Sequence, residues 1–154
     1  MTQLKKRAIW NLVIWIIVLC GFTIVFFTGG GPEHFTENDS RVALTRIFYT
    51  VGFLVFWIMM YLTRHKKGST GLITDERDEQ IQRKAYISGF SLTVIYVSLL
   101  CFFLYWLYKV DAGSQVLPVG WVWFIACTCV FMGFICTSVA VLIFNARMSG
   151  NGQG

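Results

Sequence analysis

Five cysteines, two histidines and three groups of charged residues are the side chains of this chain that could do chemistry. Cys20, Cys101, Cys127, Cys129 and Cys136 all stand in apolar surroundings. On helices rising about 1.5 Å per residue, Cys20, Cys101 and the Cys127/Cys129 pair would reach similar depth. Thiolates at one level are a ligand set for Cu(I). Cys127 and Cys129, however, project about 200° apart on a helix and cannot both chelate one ion. The cysteines therefore read as small packing residues. None sits in a polar loop, so a secreted disulfide framework is not supported. No metal site, cofactor or catalytic residue is expected.

His34 and His65 fall on opposite sides of the arrangement described below and cannot share a haem or a metal. The stretch from Gly29 to Ser40 holds Glu33, His34, Glu37 and Asp39. It reads as a solvated loop, with a divalent cation as the sharper alternative. Arg46 lies about one turn inside the next apolar run. Its long side chain can snorkel to the headgroups. The sharper reading pairs it with Glu33, Glu37 or Asp39 as an outer polar site. No ionisable residue stands at mid-depth in any apolar run, where proton relays and transport sites are found.

The most distinctive charges are Asp75, Glu76, Arg77, Asp78, Glu79 and Arg83. The stretch before them, Arg64–Ile73, is basic and contains glycine. Thr74 or Asp75 can cap a helix, and the following carboxylates suit its positive N-terminal end. Glu79 and Arg83 are an i,i+4 pair of the favoured polarity. One reading is a charged lead-in that anchors a long helix at the headgroup level. The other is a docking surface for a cytoplasmic partner, because four carboxylates within five residues exceed what one helix end needs.

These groups are positioned by four apolar runs. The chain has 154 residues, 56% hydrophobic and only 14% charged. Soluble chains carry about 25% charge, so lipid rather than water is expected around much of this surface. The runs lie at about 8–28, 43–63, 85–108 and 119–145, each near the roughly 20 residues that cross a bilayer as a helix. They do not alternate polar and apolar as barrel strands do. The first run is too long for a signal-peptide core and has no A-x-A-like site after it, so it reads as a retained span. The expected architecture is all-α: a single domain forming a four-transmembrane-helix bundle, with a loop at 64–84 and a disordered tail at 149–154.

Lys5, Lys6, Arg7, Arg64, Lys66, Lys67, Arg77, Arg83, Lys84 and Arg147 fall on one side, and Arg41, Arg46 and Lys109 on the other. The positive-inside rule places the first set, both termini and the middle loop in the cytoplasm. The net charge of +5 flanks the apolar runs without forming a stripe, which fits anionic headgroups and not nucleic acid. Trp10, Trp121 and Trp123 stand near span ends, as in aromatic belts.

Helices in lipid associate through small residues. Ala126, Cys129, Gly133, Thr137 and Ala140 recur at spacings of three and four on the fourth span, so they share a face. Ser88, Ser91 and Ser98 mark the third span more loosely. Packing, within the chain or in a homo-oligomer, is the simplest reading; a Ser/Thr-lined path is the other. Phe48, Tyr49, Phe53, Phe56, Trp57 and Tyr61 on the second span are dense enough to line a ligand pocket, but are expected instead to face lipid or fill gaps beside Gly52.

The run Asp75–Ala85, D-E-R-D-E-Q-I-Q-R-K-A, ahead of the third of four spans, resembles a family of small prokaryotic membrane proteins known by a domain-of-unknown-function label. These share a cytoplasmic D-E-R-x-x-x-I-x-x-K-A element, a short basic N-terminus and the four-span layout. The resemblance implies a prokaryotic plasma membrane and no activity. The expected function is a non-enzymatic accessory or regulatory membrane protein acting through its charged loop. A small oligomeric transporter or channel is the alternative. A cysteine-based redox enzyme is weakest, since no nucleophile–base pair is present.

Overall fold

The computed structural model describes residues 3–28, 31–35, 39–62, 76–109 and 117–150. They form an all-α fold of four helices: α1 (Gln3–Phe27), α2 (Asp39–Leu62), α3 (Glu76–Lys109) and α4 (Val119–Gly150). All four are long and apolar enough to cross a membrane, which fits a multi-pass membrane protein. In hydrocarbon every backbone N–H and C=O must be satisfied within the segment, and a helix does this.

The helix ends follow from local chemistry. Asp39 supplies a carboxylate in the first turn of α2, where the helix dipole favours it. Pro118 precedes α4 and its carbonyl accepts from the Trp121 N–H at 3.0 Å. Arg147 stands in the last turn of α4, the end that favours a cation. That helix runs through Gly150, two residues into the stretch expected to be a disordered tail. Likewise α3 begins at Glu76, so the second half of the expected 64–84 loop is helix. At 34 residues it is about 51 Å long, against roughly 30 Å of hydrocarbon.

α1 packs against both α2 and α4, and α4 also packs against α3. Among the described residues α2 and α3 make no comparable contact. The lateral order is therefore α3–α4–α1–α2, with α2 and α3 flanking one side of the α1–α4 pair. The helices run antiparallel in succession, because the start of α1, the start of α3 and the end of α4 meet in one cluster of Ala8, Ile81, Ala85, Ala140 and Val141. We call this the basic end.

Toward the opposite end lies a larger aromatic cluster of Trp15, Phe22, Phe26, Phe35, Phe124 and Phe131 with Val18 and Cys127. Trp15 is fully buried. It stacks on Phe134 at a centroid distance of 4.6 Å and an interplanar angle of 2°, and meets Phe53 edge-on at 5.3 Å. Such pairs contribute about 0.5–1.5 kcal/mol each beyond burial. This matters in lipid, where apolar burial alone distinguishes little between protein and solvent.

Glycines set the helix seams. A Cβ on Gly52 of α2 would lie 3.1 Å from Val18 of α1. A Cβ on Gly120 of α4 would meet the Pro32 carbonyl and, at 3.1 Å, Phe35. That contact seats the 31–35 turn on the start of α4. Gly31 in that turn has φ +69°, a left-handed conformation that suits glycine.

Candidate functional site

The lack of close packing between α2 and α3 leaves a cleft at the basic end. Its volume is about 480 Å³ and all four helices line it, a size within the usual range for ligand sites. Gln82, Tyr86, Phe90 and Thr93 of α3 form one wall. Phe56 and Met60 of α2 form the other. Arg7 and Asn11 of α1, with Gly133, Thr137 and Ser138 of α4, form the floor.

The floor is polar. The Asn11 amide Nδ2 donates to Ser138 Oγ at 2.7 Å. Ser138 Oγ in turn donates to the Phe134 carbonyl at 2.7 Å. The serine hydrogen is thus committed, so the amide nitrogen of Asn11 is the group that faces it. Asn11 Oδ1 and Arg7 Nε are buried without a hydrogen-bond partner among the described residues. An unmet polar atom in a low-dielectric setting costs about 1–3 kcal/mol. Among the described residues Arg7 is the one charged side chain lining the cleft. The mid-bundle end is closed by Phe56 and Phe134, 4.8 Å apart, both packed on Trp15.

The small-residue stripe of α4 divides between three settings. Ala126 is exposed. Cys129, Gly133 and Thr137 line the cleft. Ala140 is buried in the basic-end cluster. Its partner face on α3 is not the Ser88, Ser91, Ser98 set: Ser91 and Ser98 are exposed, and Ser91 Oγ donates to the Ile87 carbonyl of its own helix at 2.9 Å. The face is instead Ala85, Gly89 and Thr93, spaced four apart.

The charged lead-in forms the first turns of α3. Glu76 and Arg77 belong to the helix, Asp78 is half-buried, and Glu79 and Arg83 are exposed. Asp75 lies outside the described residues, as do Arg64 to Thr74. Ile81, on the other face, is fully buried against the ends of α1 and α4. A charged face is thus held in fixed orientation by an apolar one.

Glu33, Asp39 and Arg46 are each exposed, and no ion pair joins them among the described residues. Glu37 lies outside those residues. Of the cysteines, Cys20 and Cys101 are exposed, Cys127 is buried, and Cys129 and Cys136 are half-buried. Cys127 packs in the aromatic cluster while Cys129 lines the cleft, as their divergent directions require. On α2, Phe48 fills the space over Gly21 and Phe53 packs on Trp15, whereas Trp57 and Tyr61 are exposed.

Sequence reasoning missed Arg7, Asn11 and Gln82 as site residues. Arg7 was counted only as a flanking charge. The signal was present in its spacing: Arg7 and Asn11 stand four apart, on one face of a helix. No family model, curated protein or solved structure matches this chain.

Proposed function

We propose that this is a non-enzymatic multi-pass protein of a prokaryotic plasma membrane, acting as an accessory or regulatory subunit through its charged cytoplasmic segment. The observation that carries this reading is the pinned lead-in of α3. Ile81 is fully buried while Glu79, Gln80, Arg83 and Lys84 on the same two turns are exposed. A docking face needs its charges held in one orientation, because ordering a mobile segment costs binding energy.

The cytoplasmic assignment rests on charge. Lys5, Lys6, Arg7, Arg77, Arg83, Lys84 and Arg147 belong to the basic end, and Arg41, Arg46 and Lys109 to the other. The positive-inside rule then puts both termini and the 64–84 segment in the cytoplasm. The resemblance of Asp75–Ala85 to the small four-span family supports the prokaryotic setting.

The geometry gives less support to a transporter. The small faces of α3 and α4 are used in packing one helix on the other, and Phe56, Phe134 and Trp15 fill the middle of the bundle. A through-path would require those rings to move.

The test is affinity capture of the full-length protein from its native membranes in mild detergent, beside a variant carrying Asp75→Lys, Glu76→Lys and Glu79→Lys. A partner held by the native chain and lost by the variant is the expected result. Equal capture by both would overturn the docking reading, and self-association alone would return the transporter to first place.

A further inference from the structure

We infer that the cleft between α2 and α3 is a binding site for an anionic phospholipid of the adjoining leaflet, with Arg7 holding the phosphate and one acyl chain lying along Phe90, Val130 and Phe134.

Three observations carry this. The first is length. The cleft follows α3 from Gln82 to Thr93, about 16 Å at the helical rise. One leaflet of a hydrocarbon core roughly 30 Å thick is about 15 Å deep. The cleft therefore begins at headgroup level and ends where an acyl chain ends, at the Phe56–Phe134 pair.

The second is the polarity gradient. Arg7 and Gln82 stand at the basic end, Asn11 and Ser138 about one turn deeper, and Phe90, Val130 and Phe134 toward the middle. A glycerophospholipid has the same order of phosphate, ester and chain. Asn11 Nδ2 gives one hydrogen to Ser138 and keeps a second that an ester carbonyl can accept.

The third is charge. Among the described residues Arg7 is the sole charged residue lining the cleft, and its buried Nε has no partner there. A phosphate supplies that acceptor and neutralises the guanidinium, which binds phosphate as a planar fork. The cleft opens sideways between two helices that do not pack on each other, so the ligand enters from the bilayer and need not cross water. A second copy of this chain or a foreign helix would offer apolar surface to the same walls, but only a lipid of this leaflet brings phosphate, ester and chain in the order in which the cleft presents their partners.

The experiment is native mass spectrometry of the detergent-purified full-length protein, titrated with phosphatidylglycerol or with phosphatidylcholine of identical acyl chains. We expect one phosphatidylglycerol retained per chain, with about a fivefold preference over phosphatidylcholine: both phosphates offer Arg7 an acceptor, but the choline cation of the second offsets the negative charge that attracts the guanidinium. Arg7→Gln should abolish the preference, and Arg7→Lys should restore part of it. Arg46→Gln, exposed at the opposite end, should leave it intact. Val130→Phe, which fills the chain portion, should weaken both lipids about equally and so separates chain from headgroup binding if the Arg7 variant does not fold. Equal retention of the two lipids by the native chain would overturn the assignment, as would an unchanged preference in Arg7→Gln. A dimer that excludes both lipids would assign the cleft to a second copy instead. None of these readouts depends on a protein partner, so the proposed docking role and this site fail separately.

Discussion

Gly89 of α3 lies against the backbone of Thr137 of α4: a Cβ at position 89 would stand 2.9 Å from the Thr137 Cα and 3.0 Å from its nitrogen. The relationship is reciprocal one turn away, where Thr93 of α3 faces Gly133 of α4 at 3.7 Å. Each threonine also returns its hydroxyl hydrogen to the glycine four residues before it. Thr93 Oγ1 donates to the Gly89 carbonyl at 2.8 Å, and Thr137 Oγ1 to the Gly133 carbonyl at 2.7 Å. Two Gly-x-x-x-Thr segments thus meet antiparallel, each glycine admitting the other helix's threonine while both threonine hydroxyls are met within their own helices. Close backbone approach of this kind is what holds helices together where lipid is as apolar as the side chains.

The two glycines should respond differently to alanine. Gly89→Ala places a methyl inside the contact distance of backbone atoms that cannot move without separating the helices. We expect a loss of about 1–3 kcal/mol, the usual size of overpacking. Gly133→Ala meets only a side-chain oxygen at ordinary distance and gains helix propensity worth up to about 1 kcal/mol. It should be neutral or stabilising. Equilibrium unfolding of both variants in mixed micelles checks the pair, and equal effects would refute the asymmetry.

How much of this was legible beforehand follows from the kind of signal each feature leaves. The four spans were readable because hydrocarbon demands long uninterrupted apolar runs, which charges then bound on either side. On α4, Gly133 and Thr137 were readable from their spacing, although Ala126 of the same stripe stands exposed. The α3 face was not, because serines drew attention to positions 88, 91 and 98 while Ala85, Gly89 and Thr93 carried the i,i+4 register. The cleft was least legible. It arises from which helices fail to touch, and nothing in a single sequence states that α2 and α3 are kept apart by the α1–α4 pair.

Trp15 should be the most costly single position in the aromatic cluster. It is fully buried and touches rings from α2 and α4 at once. Trp15→Ala should lose about 3–5 kcal/mol. Trp57→Ala, on the exposed face of α2, should change stability by less than about 0.5 kcal/mol. The same unfolding measurement distinguishes them, and comparable losses would show that the cluster does not organise the bundle.

The Asn11–Ser138 hydrogen bond joins α1 to α4 beneath the cleft. Interhelical hydrogen bonds between side chains in membranes average about 0.6 kcal/mol and reach roughly 1.7. A double-mutant cycle of Asn11→Ala and Ser138→Ala should return a coupling in that range. Zero coupling would mean that the two residues are held in place by packing alone.

The lead-in of α3 should divide into a face that stabilises and a face that does not. Ile81→Asn puts a polar amide among Ala8, Ala85, Ala140 and Val141 without a partner, at a cost of about 2–4 kcal/mol from lost packing and an unmet polar group. Glu79→Lys, two residues away and about 200° around the helix on the solvent face, should leave the unfolding midpoint within the scatter expected of surface changes, about 0.5 kcal/mol. If Glu79→Lys also removes a captured partner, binding and stability are separable on opposite faces of one helix, as a docking surface requires. If instead Glu79→Lys destabilises the fold as much as Ile81→Asn does, the charges belong to the architecture of the basic end, and the acidic run at the start of α3 serves to anchor that helix and not to recruit.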